Sequence, residues 1–112
     1  MVEYIKPNRL PEITLPADFG SDVMKQVIGK DGCYFKKTTE NTGVEYIWYD
    51  MDEKTIKIWG EMDKTINSTT IIEGRLYRII NKMKQKKVEL NEYCLNWYNK
   101  YSINIAEMNN MI

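Results

Sequence analysis

The segment VIGKDGCYFKKTTENTG, residues Val27–Gly43, decides how this chain folds. Apolar residues at helical spacing stop at Ile28, and Gly29 stands where a helix C-terminal glycine is expected. After Gly32 the sequence again has helical character, until Gly43 gives a second C-terminal signal. Glycine at both ends of the link permits positive φ and lets another backbone approach closely. The segment therefore predicts two helices joined by a short, exposed turn.

Three other segments have the character of strands. EITLP (residues 12–16) alternates briefly and is closed by proline, VEYIWYD (44–50) is rich in β-branched and aromatic residues, and TIKIWGE (55–61) alternates. The polar stretch MDEK (51–54) separates the last two and favours a turn. These two segments are therefore predicted to form an antiparallel hairpin.

Apolar residues at helical spacing predict the remaining helices. The first stripe is Phe19, Val23, Met24, Val27 and Ile28. A long helix from Asp63 has the stripe Ile66, Ile72, Leu76, Ile79, Ile80 and Met83. A further amphipathic helix contains Leu90, Cys94, Trp97, Tyr98 and Tyr101. The last residues, 102–112, are expected to be a loose tail.

The order of predicted elements is β-α-α-β-β-α, followed by a C-terminal helix. A hairpin and one further strand make a three-stranded antiparallel sheet, and three helices are expected to cover one face of it. The fold class is therefore α+β. Residues 1–10 are polar and aperiodic and are interpreted as an N-terminal arm, residues 11–87 as the domain, and residues 88–112 as a C-terminal helical extension and tail.

Composition narrows the possible functions. A chain of 112 residues with 43% apolar content suits one folded domain. Histidine is absent and only two cysteines are present, so neither a metal site nor a cofactor is expected, and no acid–base pair indicates an enzyme. The N-terminus lacks the basic-then-apolar layout of a signal peptide, and no apolar run approaches a membrane span, which predicts an intracellular protein without membrane contact.

Basic residues are unevenly placed, although the net charge is zero. RLYRIINKMKQKK (residues 75–87) has six basic residues and no acid, which is typical either of a solvated helix face or of a surface for an anionic polymer. At the glycine turn, the start of the second helix exposes free amide groups, with Lys30, Lys36 and Lys37 nearby. That combination favours phosphate binding.

The segment around the turn resembles the core of the K-homology (KH) domain, whose pattern is I-I-G-x-x-G-x-x-I-K-x-I, three residues, then T-G and a strand. The V-I-G at residues 27–29 matches the opening, and Gly32 closes the loop. Phe35-Lys36 stands at the I-K position, and T-G falls at residues 42–43. I-W-G at residues 58–60 resembles the end of the last strand. The resemblance covers residues 11–84 and implies the type I fold.

The resemblance also implies a function. In this family the G-x-x-G loop clamps the backbone of about four single-stranded nucleotides, and bases lie in an apolar groove. The resemblance implies that the loop consists of Gly29, Lys30, Asp31 and Gly32. It implies that the groove is lined by Ile28, Phe35, Tyr46 and Trp48. The lysines beside the loop and groove would be Lys25, Lys36 and Lys37. Lys25 either reaches a phosphate or crowds the groove, and Phe35 and Trp48 belong equally well to the core. RNA is expected first, single-stranded DNA second.

A structural or adaptor role is the alternative, since a KH-like scaffold can serve protein–protein contacts. The aromatic C-terminal helix would then pack on its own domain, on a second copy as a homodimer, or on another protein. Thirteen lysines against three arginines, with abundant Ile and Asn, resemble the product of an AT-rich genome such as that of a large DNA virus. The expected location is the cytoplasm, or a host cytoplasm or virion if the source is viral.

Overall fold

The computed structural model describes residues 4–110. Its elements are β1 (Ile13–Pro16), α1 (Ser21–Ile28), α2 (Cys33–Thr42), β2 (Tyr46–Asp50), β3 (Thr55–Trp59), α3 (Met62–Gln85) and α4 (Glu92–Asn110). A single 3₁₀ turn, Lys30–Gly32, joins α1 to α2. Within this part of the chain, no helix is both long enough and apolar enough to cross a membrane.

The strands form one antiparallel sheet in the order β1-β3-β2. Ile58 of the central strand β3 pairs with Ile13 of β1 on one side and with Ile47 of β2 on the other. The predicted α+β class and the three-stranded antiparallel sheet are confirmed. Because β2 has a strand partner on one side only, the backbone N–H and C=O groups of its other edge are not paired with a strand.

One face of the sheet and the helices share a single core. Ile47, Ile56 and Ile58 are buried in it from the sheet. The helices contribute Val23, Met24 and Val27 from α1, Phe35 from α2, and Ile72, Leu76, Ile80 and Met83 from α3. The three helices therefore lie on the same side of the sheet.

The predicted apolar stripe of α3 is wrong at its N-terminal end. Ile66 is 55% exposed, whereas Thr65 and Ser68 are fully buried. Both hydroxyls are satisfied within the helix, since Thr65 donates to the Met62 carbonyl (2.8 Å) and Ser68 lies 3.0 Å from that of Lys64. Burying a hydroxyl that keeps a hydrogen bond costs little, so polar residues extend the buried stripe here.

The described part of the arm, residues 4–10, has no regular structure but packs on the outer face of the sheet. The Trp59 indole N–H donates to the Arg9 carbonyl at 2.7 Å, and Trp59 is only 2% exposed. Arg9 also forms ion pairs with Glu12 and Glu45. Residues 1–3 of the predicted arm lie outside the described residues.

The C-terminal helix packs on its own domain. Cys94 is fully buried, and Phe19 makes edge-to-face contacts with Tyr93 and Trp97 at 5.2 and 5.3 Å between ring centroids. The prediction of a loose tail is wrong for residues 102–110, because α4 continues without interruption to Asn110. The Ser102 hydroxyl donates to the Tyr98 carbonyl at 2.8 Å. This bond within α4 joins the first residue of the predicted tail to the predicted helix.

Candidate nucleic-acid interface

The backbone of the G-x-x-G turn has positive φ at three of its four positions. Gly29, Asp31 and Gly32 have φ of 82°, 56° and 74°. The N–H of Gly32 donates to the Gly29 carbonyl at 3.1 Å, which closes the turn. Glycine adopts positive φ without steric cost, and aspartate is among the few other residues that tolerate it. The sequence of the turn therefore fits its conformation.

The N-terminus of α2 faces outward from this turn with a local excess of positive charge. Its capping residue is Gly32, which has no side chain to accept hydrogen bonds from the first amide groups of the helix. Lys30, Lys36 and Lys37 are exposed nearby, and Asp31 is the acidic residue of the turn. The Cys33 N–H already donates to the Lys30 carbonyl, so the positive end of the helix dipole and the nearby lysines are what favour an anion at this position.

A cavity of about 730 Å³ lies along the free edge of β2. Its walls are the turn and α2 on one side and the strand with its hairpin turn on the other. The lining residues are Tyr4, Ile28, Asp31, Gly32, Phe35, Lys36, Tyr46, Ile47, Trp48, Tyr49, Asp50, Met51 and Asp52. The cavity is thus an open groove between the glycine turn and the edge strand.

The structure brings most of the predicted site residues together in this groove. Those that line it are Ile28, Asp31, Gly32, Phe35, Lys36, Tyr46 and Trp48. Lys25, Gly29, Lys30 and Lys37 do not line it. Lys25 and Lys37 are exposed on α1 and α2, Lys30 is exposed in the turn, and Gly29 begins the turn. Phe35 is 4% exposed and also belongs to the core, so it has both predicted roles.

The two aromatic residues predicted from β2 point away from the core. Ile47 belongs to the core and Tyr49 packs against it, so by strand alternation Tyr46 and Trp48 lie on the outer face. There Tyr46 contacts both Trp48 and Trp59, with ring centroids at 6.3 and 5.7 Å. The groove curves around the strand edge, and so both faces of β2 line it. Tyr46 is buried, whereas Trp48 is 43% exposed and has the Lys6 ammonium 5.7 Å from its ring centroid.

Six groove residues were missed from the sequence: Tyr4, Ile47, Tyr49, and Asp50, Met51 and Asp52 at the hairpin turn. Every residue from Tyr46 to Tyr49 is apolar or aromatic, so alternation gives no indication of which face each one occupies. Tyr4 belongs to the arm, which is separated from β2 by more than forty residues. No local pattern marks such a contact.

Three carboxylates line the groove: Asp31 on the wall of the glycine turn, and Asp50 and Asp52 on the wall of the hairpin. Asp50 accepts the N–H groups of Asp52 and Glu53 at 3.0 Å each. The Glu53 N–H and the Lys57 ammonium lower the pKa of Asp50, so it is ionised at neutral pH. Among the described residues, no three histidine, cysteine or acidic side chains are arranged to hold a metal ion.

No protein-family model, curated protein or solved structure gives a significant match to this chain.

Proposed function

We propose that residues 11–87 form a type I KH domain. The element order β-α-α-β-β-α, the sheet order β1-β3-β2 and a G-x-x-G turn between the first two helices are the features that support this assignment. The T-G motif falls at the C-terminus of α2, where Gly43 has φ of 81°. Each feature alone is common in α+β domains, but their combination is specific.

We propose that the groove binds single-stranded nucleic acid, RNA in the first place. The observation that carries this proposal is the position of the groove, which runs from the G-x-x-G turn along an unpaired strand edge. A bound strand would place its phosphates at the N-terminus of α2, near Lys30 and Lys36. Its bases would lie against the apolar wall formed by Ile28 and Phe35.

Trp48 supplies a surface on which a base can stack. Its side chain is exposed, whereas the other aromatic residues that line the groove are buried or half-buried. Stacking of a base on such a ring contributes about 1–3 kcal/mol and tolerates any base. The proposed site therefore combines a sequence-independent phosphate contact with an aromatic surface at the strand edge.

A structural or adaptor role is the second candidate, and one observation favours it. Asp31, Asp50 and Asp52 line the same groove. Carboxylates repel phosphates, whereas they suit a basic protein segment. On this alternative the groove binds a partner protein, and the chain has no affinity for short nucleic acids.

Binding of short RNA and DNA strands at two salt concentrations separates the two candidates. For nucleic-acid binding, log affinity should fall with log salt with a slope of roughly one to three, because few phosphates are contacted. Lys30→Asp and Lys36→Asp should weaken binding several-fold, because each places a carboxylate beside the expected phosphate path. Trp48→Ala should weaken binding without changing the salt slope.

Lys100→Asp is the matched control. It makes the same change in charge on α4, outside the groove. If binding is weakened equally by all three lysine variants, the effect is one of net charge and the groove is not the site. If folded wild-type protein binds no short RNA or DNA at low salt, the adaptor role replaces this proposal.

A further inference from the structure

The hydroxyl of Tyr4 occupies two backbone groups at the free edge of β2. It donates to the Ile47 carbonyl at 2.8 Å and accepts from the Ile47 N–H at 3.2 Å. Ile47 is on the edge strand β2. Because its N–H and C=O are bonded to the arm, both groups point away from β3. An adjacent donor and acceptor on a strand edge can pair with the donor and acceptor on the edge of a nucleobase. Tyr4 therefore holds groups that a base in this groove can use.

The ring of Tyr4 also fills space in the groove. It lies 4.4 Å from the Tyr46 ring, and the Lys36 ammonium is 5.9 Å from its centroid. Tyr4 is thus wedged between the edge of β2 and α2. Burial raises the pKa of Tyr4, an effect that hydrogen bonds to Thr39 and Ile47 partly offset. The hydroxyl accordingly remains protonated at neutral pH and keeps donating to the carbonyl.

The arm is held more firmly at Arg9 than in the segment between Tyr4 and Arg9. Arg9 is fixed by the Trp59 indole and by two ion pairs with acidic side chains. Between the two, Ile5 and Asn8 are exposed. Lys6 is exposed as well, and its ammonium lies 5.7 and 5.9 Å from the ring centroids of Trp48 and Trp59, a contact without a hydrogen bond. Tyr4 can therefore leave the groove by rotation of a few residues, while the contact between Arg9 and Trp59 stays intact.

We infer that Tyr4 is a built-in competitor for the groove, which a nucleobase must displace in order to reach the Ile47 edge. This inference rests on the proposed nucleic-acid binding. It assigns the N-terminal arm an autoinhibitory role, because the free protein keeps part of its own site occupied. Tyr49, two residues further along the same edge, is not bonded to Tyr4, so a strand can enter there before Tyr4 leaves.

Substitution of Tyr4 gives a result opposite in sign to that of an ordinary contact residue. The probes are fluorescently labelled pools of twelve-nucleotide random-sequence RNA and single-stranded DNA. Tyr4→Phe removes the hydroxyl and keeps the ring. It should raise affinity by about threefold or more, because both hydrogen bonds to Ile47 are lost and each is equivalent to roughly a threefold to tenfold change. Tyr4→Ala also clears the ring and should raise affinity at least as much. The salt slope should stay unchanged, because Tyr4 is uncharged.

Tyr98→Phe is the control, since its hydroxyl donates to Asn81 on α3 (2.6 Å), outside the groove. It should leave affinity unchanged. Amide exchange at Ile47 should accelerate in Tyr4→Phe while the amide of Trp48, which pairs with Lys57 of β3, stays protected. That pattern shows that the arm is released and the domain is folded. Affinity that is equal or lower in both Tyr4 variants overturns the competitor role while nucleic-acid binding stands. If wild type and both variants all fail to bind, both proposals are overturned.

Discussion

Tyr34 lies directly over Gly29. A Cβ built on Gly29 would come within 2.4 Å of the Tyr34 Cδ2 atom and 2.7 Å of the Cys33 Sγ atom. The Arg75 guanidinium of α3 lies 3.9 Å from the centroid of the same ring. The absence of a side chain at Gly29 thus leaves room for a contact that joins α2 to α3. Gly32 has more space around it, since the nearest atom to a Cβ built there is the Lys36 Cε at 4.0 Å.

We expect Gly29→Ala to destabilise the protein more than Gly32→Ala. Gly32→Ala places a side chain at positive φ in open space, at a cost of roughly 1–2 kcal/mol. Gly29→Ala adds displacement of the Tyr34 ring to a backbone penalty of about 1–3 kcal/mol. Urea unfolding measures both. In a Tyr34→Ala background the Gly29→Ala penalty should shrink, and an unchanged penalty would show that the ring plays no part.

Truncation after Lys87 should lower the melting temperature. It removes buried Cys94 and uncovers Phe19, which Tyr93 and Trp97 cover in the intact chain. Each large side chain that loses its burial costs about 1.5–3 kcal/mol. Differential scanning calorimetry, with mass measured in solution, checks this. Truncation before Ile103 should cost much less, because Ile103 and Met108 are largely exposed; equal losses would contradict the packing described here.

The two cysteines should react with thiol reagents at very different rates. Cys33 is exposed at the start of α2, whereas Cys94 is fully buried and burial raises the pKa of its thiol to about 11. The thiolate is the reactive form, so Cys94 should be modified only on unfolding. Mass spectrometry after brief labelling at pH 8 should find one modification in folded protein and two in urea. Cys33→Ser should remove the fast modification, and loss of the slow one instead would contradict the assignment.

Protonation of the Glu12 carboxylate should lower the stability of the fold in acid. Its carboxylate accepts the Gly60 N–H at 2.9 Å, and that bond is the main reason why the pKa of Glu12 lies below its ordinary value of 4.5. A carboxyl group with a lowered folded pKa stabilises the fold above its unfolded pKa. That contribution is lost as pH falls through the folded pKa. Unfolding at pH 3, 5 and 7 measures it.

Glu12→Gln should reduce the fall in stability between pH 5 and pH 3, because glutamine keeps an acceptor oxygen and does not titrate. Glu40→Gln is the matched control, since Glu40 is exposed on α2. A Glu12→Gln protein that loses as much stability in acid as wild type would assign the acid sensitivity to other carboxyl groups.

Local signals predicted most of the elements. Gly29 and Gly43 mark the ends of α1 and α2 in the sequence and in the structure, where both have positive φ. Helix termination depends on the conformation of one residue, so a glycine in the sequence is enough to indicate it. The same is true of the hairpin turn, where Asp50 accepts the backbone N–H groups of the next residues. The groove residues Ile28 and Phe35 were expected from the KH resemblance, and both line the observed groove.

The sequence by itself determined the order of the elements and the place of the G-x-x-G turn, because these depend on residues a few positions apart. Only the tertiary structure decided which face Tyr46 and Trp48 occupy, since a strand of apolar residues takes its face from the register with β3. It alone brought Tyr4 to Ile47, because a contact across 43 positions depends on how the whole chain packs and on no local pattern.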